Sequence, residues 1–138
     1  MDVVASPITG MSPTDRIELI VPLRAEFGAT IRTLAASVGA DLGMSVDELD
    51  DLRLAVSEVF SVLVDAAADL DERARVSFAA PDGHLTATIG CDGTPLPTEL
   101  DELAENILRS VTDGFEVEAT GITFVKRGIE RSGDQRRP

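Results

Sequence analysis

Two residues one helical turn apart, Glu58 and Val62, hold much of the chemical information in this chain. A carboxylate there could act as a general base, but valine has no oxygen and cannot ligate a hard cation. Asp92 followed by Gly93 could place an acceptor beside a close backbone approach, although the same pair is ordinary turn composition. Glu99, Asp101, Glu102 and Glu105 form an acidic run, and Arg32 offers a guanidinium suited to bidentate carboxylate pairing. His84 is the single histidine and Cys91 the single cysteine, so no metal-ligand cluster is expected. His84 is expected to be exposed after its turn, and Cys91 to pack as a small apolar residue.

Glu58 and Val62 sit on the shoulder of the most hydrophobic long helix, Asp50 to Ala67. Its stripe of Leu49, Leu52, Val56, Val59, Leu63 and Leu70, widened by Phe60, Val64 and Ala67, is built for burial. Ser45 with Glu48 three residues on is a capping box that starts this core helix, which is expected to run to about Leu70. Before it, Arg16 to Leu23 alternates Ile17, Leu19 and Val21 inward with Arg16, Glu18 and Ile20 outward. That pattern predicts a strand, and Pro22 places it at a sheet edge or ends it there. Arg24 to Leu42 takes helical spacing through Phe27, Ile31, Leu34, Ala35, Val38 and Leu42, with Gly43 as terminator.

After the core helix, Arg73 to Ala80 and His84 to Cys91 form a predicted hairpin about Pro81, Asp82 and Gly83. Gly93 to Pro97 is a short loop. Thr98 is expected to cap a third helix with Leu100, Leu103, Ile107, Leu108 and Val111 inward and Gly114 at its end. Phe115 to Ala119 and Ile122 to Arg127 complete the pattern as strands turning at Thr120 and Gly121. The expected fold is an α/β (α+β) two-layer sandwich. In it a mixed, mostly antiparallel sheet of about five strands is covered on one face by three helices. Residues 1–14 read as a flexible N-terminal arm, 15–127 as one domain, and 128–138 as a disordered basic tail.

The 138 residues carry a formal charge of −13, and because the segment after Val125 has five basic and two acidic residues, residues 1–125 carry −16. Such a field repels a nucleic acid duplex or an anionic membrane and steers in a basic protein. No apolar run approaches the ~20 residues of a membrane span. Nothing at the N-terminus resembles a secretory signal, so the expected location is cytoplasmic.

On RIELIVPL before a helix, DLRLAVSEV in the core helix and ATGITFVKR as the closing strand, the chain resembles the anti-sigma-factor serine kinases. These belong to the GHKL (Bergerat-fold, histidine-kinase-like) ATPases, and the chain is similar to a degenerate, actinobacterial-type member. The resemblance covers about Arg16 to Arg127. It implies a Glu-x-x-x-Asn pattern in the core helix, the glutamate polarising a hydroxyl and the asparagine holding Mg²⁺. Glu58 matches the first position, and Val62 occupies the second. It also implies an Asp-x-Gly-x-Gly turn that reads adenine. Asp92 and Gly93 stand at that place, but Thr94, Pro95 and Leu96 follow, and proline has no amide donor. A Gly-x-Gly element should open the third helix and bind phosphate. The matching ELAENIL has no glycine, and the neighbouring carboxylates repel a triphosphate. The run from Gly93 to Leu103 is too short for the family's nucleotide lid.

The resulting expectation is an anti-sigma factor that sequesters its sigma factor by protein–protein binding. Nucleotide binding and kinase chemistry are lost, so neither ATP nor Mg²⁺ is a cofactor. Glu58, Asp92 and Gly93 are then vestigial, and partner contact falls to Arg32 and to Glu99, Asp101 and Glu102. Within the family an arginine early in the first helix grips the sigma factor, and Arg32 matches it; a helical arginine could equally pair with Glu26 or Asp41. The resemblance further implies a homodimer and an anti-anti-sigma partner. Two alternatives stand beside this reading. One is an active ATP-dependent serine kinase in which Ser61 or Asp65 replaces the asparagine; the other is a dimerisation or scaffold module with an unrelated partner.

Overall fold

The computed structural model describes residues 11–69, 71–93, 96 and 99–128. The expected arm over residues 1–10, the tail over 129–138, Leu70 and the Thr98 cap lie outside the described residues. Five strands, β1 (Arg16–Pro22), β2 (Arg73–Ala79), β3 (Leu85–Cys91), β4 (Gly114–Glu118) and β5 (Gly121–Lys126), form one sheet in the order β1-β2-β3-β5-β4. Every pairing is antiparallel, so no strand makes the sheet mixed. Three helices, α1 (Gly28–Asp41), α2 (Val46–Ala66) and α3 (Glu102–Val111), give the expected two-layer α+β sandwich.

The period-two pattern of the strands decides which sheet face they bury. Phe78, Ala87 and Phe124 align in one inward row and Val76, Ile89 and Ile122 in the next, and all six are fully buried. Against them α2 presents Leu52, Ala55, Val56, Val59, Phe60 and Leu63, while α1 adds Ile31, Ala35 and Val38. The opposite sheet face carries Arg16, Glu18, Ile20, Arg75, Thr88, Thr123, Glu116 and Glu118, as a one-sided antiparallel sheet should. β1 is an edge strand, which is where Pro22 is tolerated.

Local chemistry sets the helix ends. The first predicted helix divides into a 3₁₀ turn (Ala25–Phe27) and α1. At its other end Gly43 adopts φ +84°, its N–H donates to Ala40 O, and Met44 N–H donates to Gly39 O, a Schellman ending that favours glycine. The capping box of α2 is formed in both directions. Glu48 N–H donates to Ser45 Oγ at 3.2 Å, and Ser45 N–H donates to Glu48 Oε1 at 2.6 Å. Ser45→Ala should therefore cost about 1 kcal/mol, read as a lowered urea midpoint with an unchanged slope; an unchanged midpoint would mean the cap contributes nothing.

Three sequence expectations are corrected. α2 ends at Ala66 rather than near Leu70. α3 starts four residues after the expected cap, because Asp101 Oδ1 accepts from Ala104 N–H at 2.8 Å and so caps the helix itself. The helix packs with Ala104, Leu108 and Val111 buried, which leaves Leu103, expected inward, 68% exposed. The turn between β4 and β5 is Ala119–Thr120, with Gly121 already in β5 opposite Glu118.

Candidate functional site

α2 and the start of α3 enclose a cleft of about 300 Å³ lined by Val62, Asp65, Ala66, Glu99, Leu100 and Asp101. It forms because the inward stripe of α2 continues past Leu63 while the Asp101 cap fixes where α3 begins. Val62 is half-buried there and packs against the core, so its methyl groups wall the cleft at the residue one turn beyond Glu58. Among the described residues, three carboxylates and no basic side chain line the cleft. An anion entering it would meet repulsion, with no described donor side chain in compensation. Among the described residues no group of acidic, histidine or cysteine side chains is arranged to hold a metal ion.

Glu58 is half-buried and is not part of the cleft lining. Ser61 and Asp65, the possible stand-ins for asparagine, are both exposed, and only Asp65 lines the cleft. Arg32 is half-buried, with Nη1 3.3 Å from Ser57 Oγ on α2, so it joins the two helices rather than pairing with Glu26 or Asp41. Glu26 sits instead beside Arg24, at 3.5 Å.

Asp92 lies away from this cleft. Its carboxylate is 86% exposed and 3.6 Å from Arg75 Nη2, and Arg75 belongs to the sheet face that the helices leave uncovered. Cys91 points the opposite way and is buried, as expected of a small apolar packer. His84, expected to be exposed, is partly buried, and its backbone N–H donates to Asp82 Oδ1 in the hairpin turn. Gly93 abuts the Glu72 carboxylate so closely that an added Cβ would fall 2.0 Å from Glu72 Oε2. The structure thus groups Val62, Glu99 and Asp101 at one cleft, places Glu102 exposed on the first turn of α3, and sets Asp92 elsewhere.

Several position-defining residues escaped the sequence reading. Gly90 lies where an added Cβ would be 2.3 Å from Thr120 O, and Cys91 N–H donates to that same oxygen at 3.1 Å. A glycine inside the apolar run TATIGC is the signal for such close approach. Leu96 is buried, and its N–H donates to Ala119 O at 3.0 Å, so the connection from β3 to α3 is tied to the β4–β5 turn. Lys126, only 8% exposed, reaches Asp51 Oδ2 on α2 at 3.4 Å. Alternation with Ile122 and Phe124 puts that lysine on the inward face, but nothing in the strand GITFVK signals that a charged residue there stays buried.

No family model matches the chain. Over 57 residues it is 33% identical to the serine-protein kinase RsbW of Bacillus mycoides (strain KBAB4), and equally to that of Bacillus cereus (strain B4264). The match covers 41% of this chain and 36% of either relative, so it spans about a third of the curated relatives' length. Among solved structures, the RsbU and RsbW domains of Rv1364c from Mycobacterium tuberculosis align with a TM-score of 0.64 at 15% identity. The alignment covers 83% of this chain and 33% of that one and establishes a shared fold.

Proposed function

From this homology to the RsbW serine-protein kinases, we propose that the protein is an anti-sigma factor that acts by sequestration, with phosphoryl transfer lost. The observation that carries the reading is the cleft between α2 and α3. Val62, at the position the resemblance gives to a metal-holding asparagine, lines it together with the carboxylates of Asp65, Glu99 and Asp101, which supports a site unsuited to a metal-bound polyphosphate. A nucleotide would have to enter without a metal ligand, without glycine amides at the start of α3, and against like charge.

Sequestration requires only a surface. Arg32, half-buried beside Ser57, keeps its guanidinium at the α1–α2 boundary, and Glu99, Asp101 and Glu102 add negative potential near α3. That potential would speed encounter with a basic sigma factor more than it would hold the complex. A homodimer, a competing anti-anti-sigma protein and a cytoplasmic location belong to the same reading. No described helix is long and apolar enough to cross a membrane.

The deciding experiment is capture of the host's sigma factors by the immobilised protein, with and without ATP. One sigma factor should be retained to the same extent in both conditions, and Arg32→Ala should weaken retention by about tenfold, the loss of one charge-assisted contact. Dependence of capture on ATP would restore the active-kinase alternative, and failure to retain any sigma factor would favour the scaffold reading.

A further inference from the structure

β4 is an edge strand, and among the described residues no strand pairs with its outer side. Its turn of two residues closes on the pair Glu118–Gly121. In a two-residue hairpin that pair exchanges hydrogen bonds, so the N–H and C=O groups of Val117 and Phe115 point to the free edge. Beside that edge run two adjoining hollows of about 460 and 430 Å³ that share Glu105 and Phe115. Together they make one trough between β4 and α3, with Leu100, Phe115 and Val117 as its apolar floor. Glu99, Glu105 and Asp113 stand along it, and Arg109, the one basic lining residue among those described, is already paired with Glu105. On the other face of the same strand Glu116 and Glu118 are exposed.

We propose that this trough binds an extended segment of a partner protein in which apolar and basic residues alternate, added to β4 as a sixth strand. The strand period of two dictates the alternation. One set of side chains would lie over Phe115, Val117 and Leu100, and the other would stand next to Glu116 and Glu118 on the uncovered face. Five residues of β4, at about 3.3 Å each, set the length of the paired segment at about 17 Å. A second copy of the chain does not suit the edge. GFEVE set against itself brings glutamates together across the strands, a destabilising arrangement. The charge that excludes copies selects an oppositely charged segment.

The inference is independent of which protein carries the segment and of the nucleotide question, so its test uses neither a sigma factor nor ATP. Fluorescently labelled peptides of alternating lysine and valine, and of alternating glutamate and valine, are titrated into the full chain and read by anisotropy. The lysine peptide should bind and the glutamate peptide should not. E116K together with E118K should reverse that order and weaken the lysine peptide about tenfold, since two cross-strand attractions become repulsions. In the unmodified protein the lysine peptide should slow hydrogen exchange at the amides of Phe115 and Val117. Equal binding of both peptides, a double variant with unchanged preference, or protection elsewhere than β4 would overturn the proposal.

Discussion

Titration of the protein with Mg-ATP is expected to give no saturable binding in the micromolar range, and Val62→Asn is expected to behave in the same way. The reason is cumulative. Nucleotide binding in a GHKL-type site draws on a metal ligand, an adenine acceptor and backbone amides at a helix N-terminus, and each is a separate contribution. Asparagine at residue 62 would return the first alone. On the proposed reading it would not return the second, since Asp92 sits beside Arg75 on the uncovered sheet face and does not line the α2–α3 cleft. The third is compromised by the Asp101 cap, whose carboxylate already accepts from Ala104 N–H, and by Glu102 and Glu105 in the first turn. These charges oppose an anion at the end of the helix whose dipole would otherwise favour it. Calorimetry of both proteins checks the expectation. Micromolar binding by the unmodified chain would refute loss of the site, and binding gained by the single variant would show that the loop and α3 chemistry matter little.

Leu63→Ala is expected to cost ~2–5 kcal/mol, while Glu58→Ala, five residues away on the same helix, should change stability by no more than about 0.5 kcal/mol. Leu63 is fully buried between the helices and the sheet, so truncation leaves a cavity that close-packed neighbours fill only in part. Glu58 is half-buried but makes no hydrogen bond or ion pair with a described residue, so its removal leaves no orphaned group. Urea unfolding followed by circular dichroism separates the two. If Glu58→Ala lost as much as Leu63→Ala, the glutamate would be a structural residue and its place in the motif would carry no functional meaning. If it also left sigma-factor capture unchanged, Glu58 would be dispensable to the proposed role.

The fold was legible where periodicity and local chemistry agreed. Alternation in RIELIVP and TATIGC, the three- and four-residue steps of α2, and the Ser45–Glu48 box are short-range signals, and the structure follows them closely. The start of α3 was misjudged because Thr98 and Asp101 are both acceptable caps by type. Only the position of the helix against the core, burying Ala104, Leu108 and Val111, selects Asp101. Lys126 was missed for a related reason: a lysine at an inward strand position contradicts the pattern, and it is accommodated by Asp51, which lies 75 residues away in the chain.

The Glu58 and Val62 pair illustrates the same division. Residue type and one-turn spacing by themselves determined that the residue one helical turn after Glu58 offers no oxygen to a cation, because helical geometry is local and valine's chemistry is invariant. They also determined that one face of α2 must be buried. What tertiary structure alone decided is the company these residues keep: Glu99 and Asp101 beside Val62, Ser57 beside Arg32, and Arg75 near Asp92 on the uncovered side of the sheet. Those neighbours come from distant segments, and their juxtaposition is set by sheet register and helix packing, which no short stretch of sequence encodes.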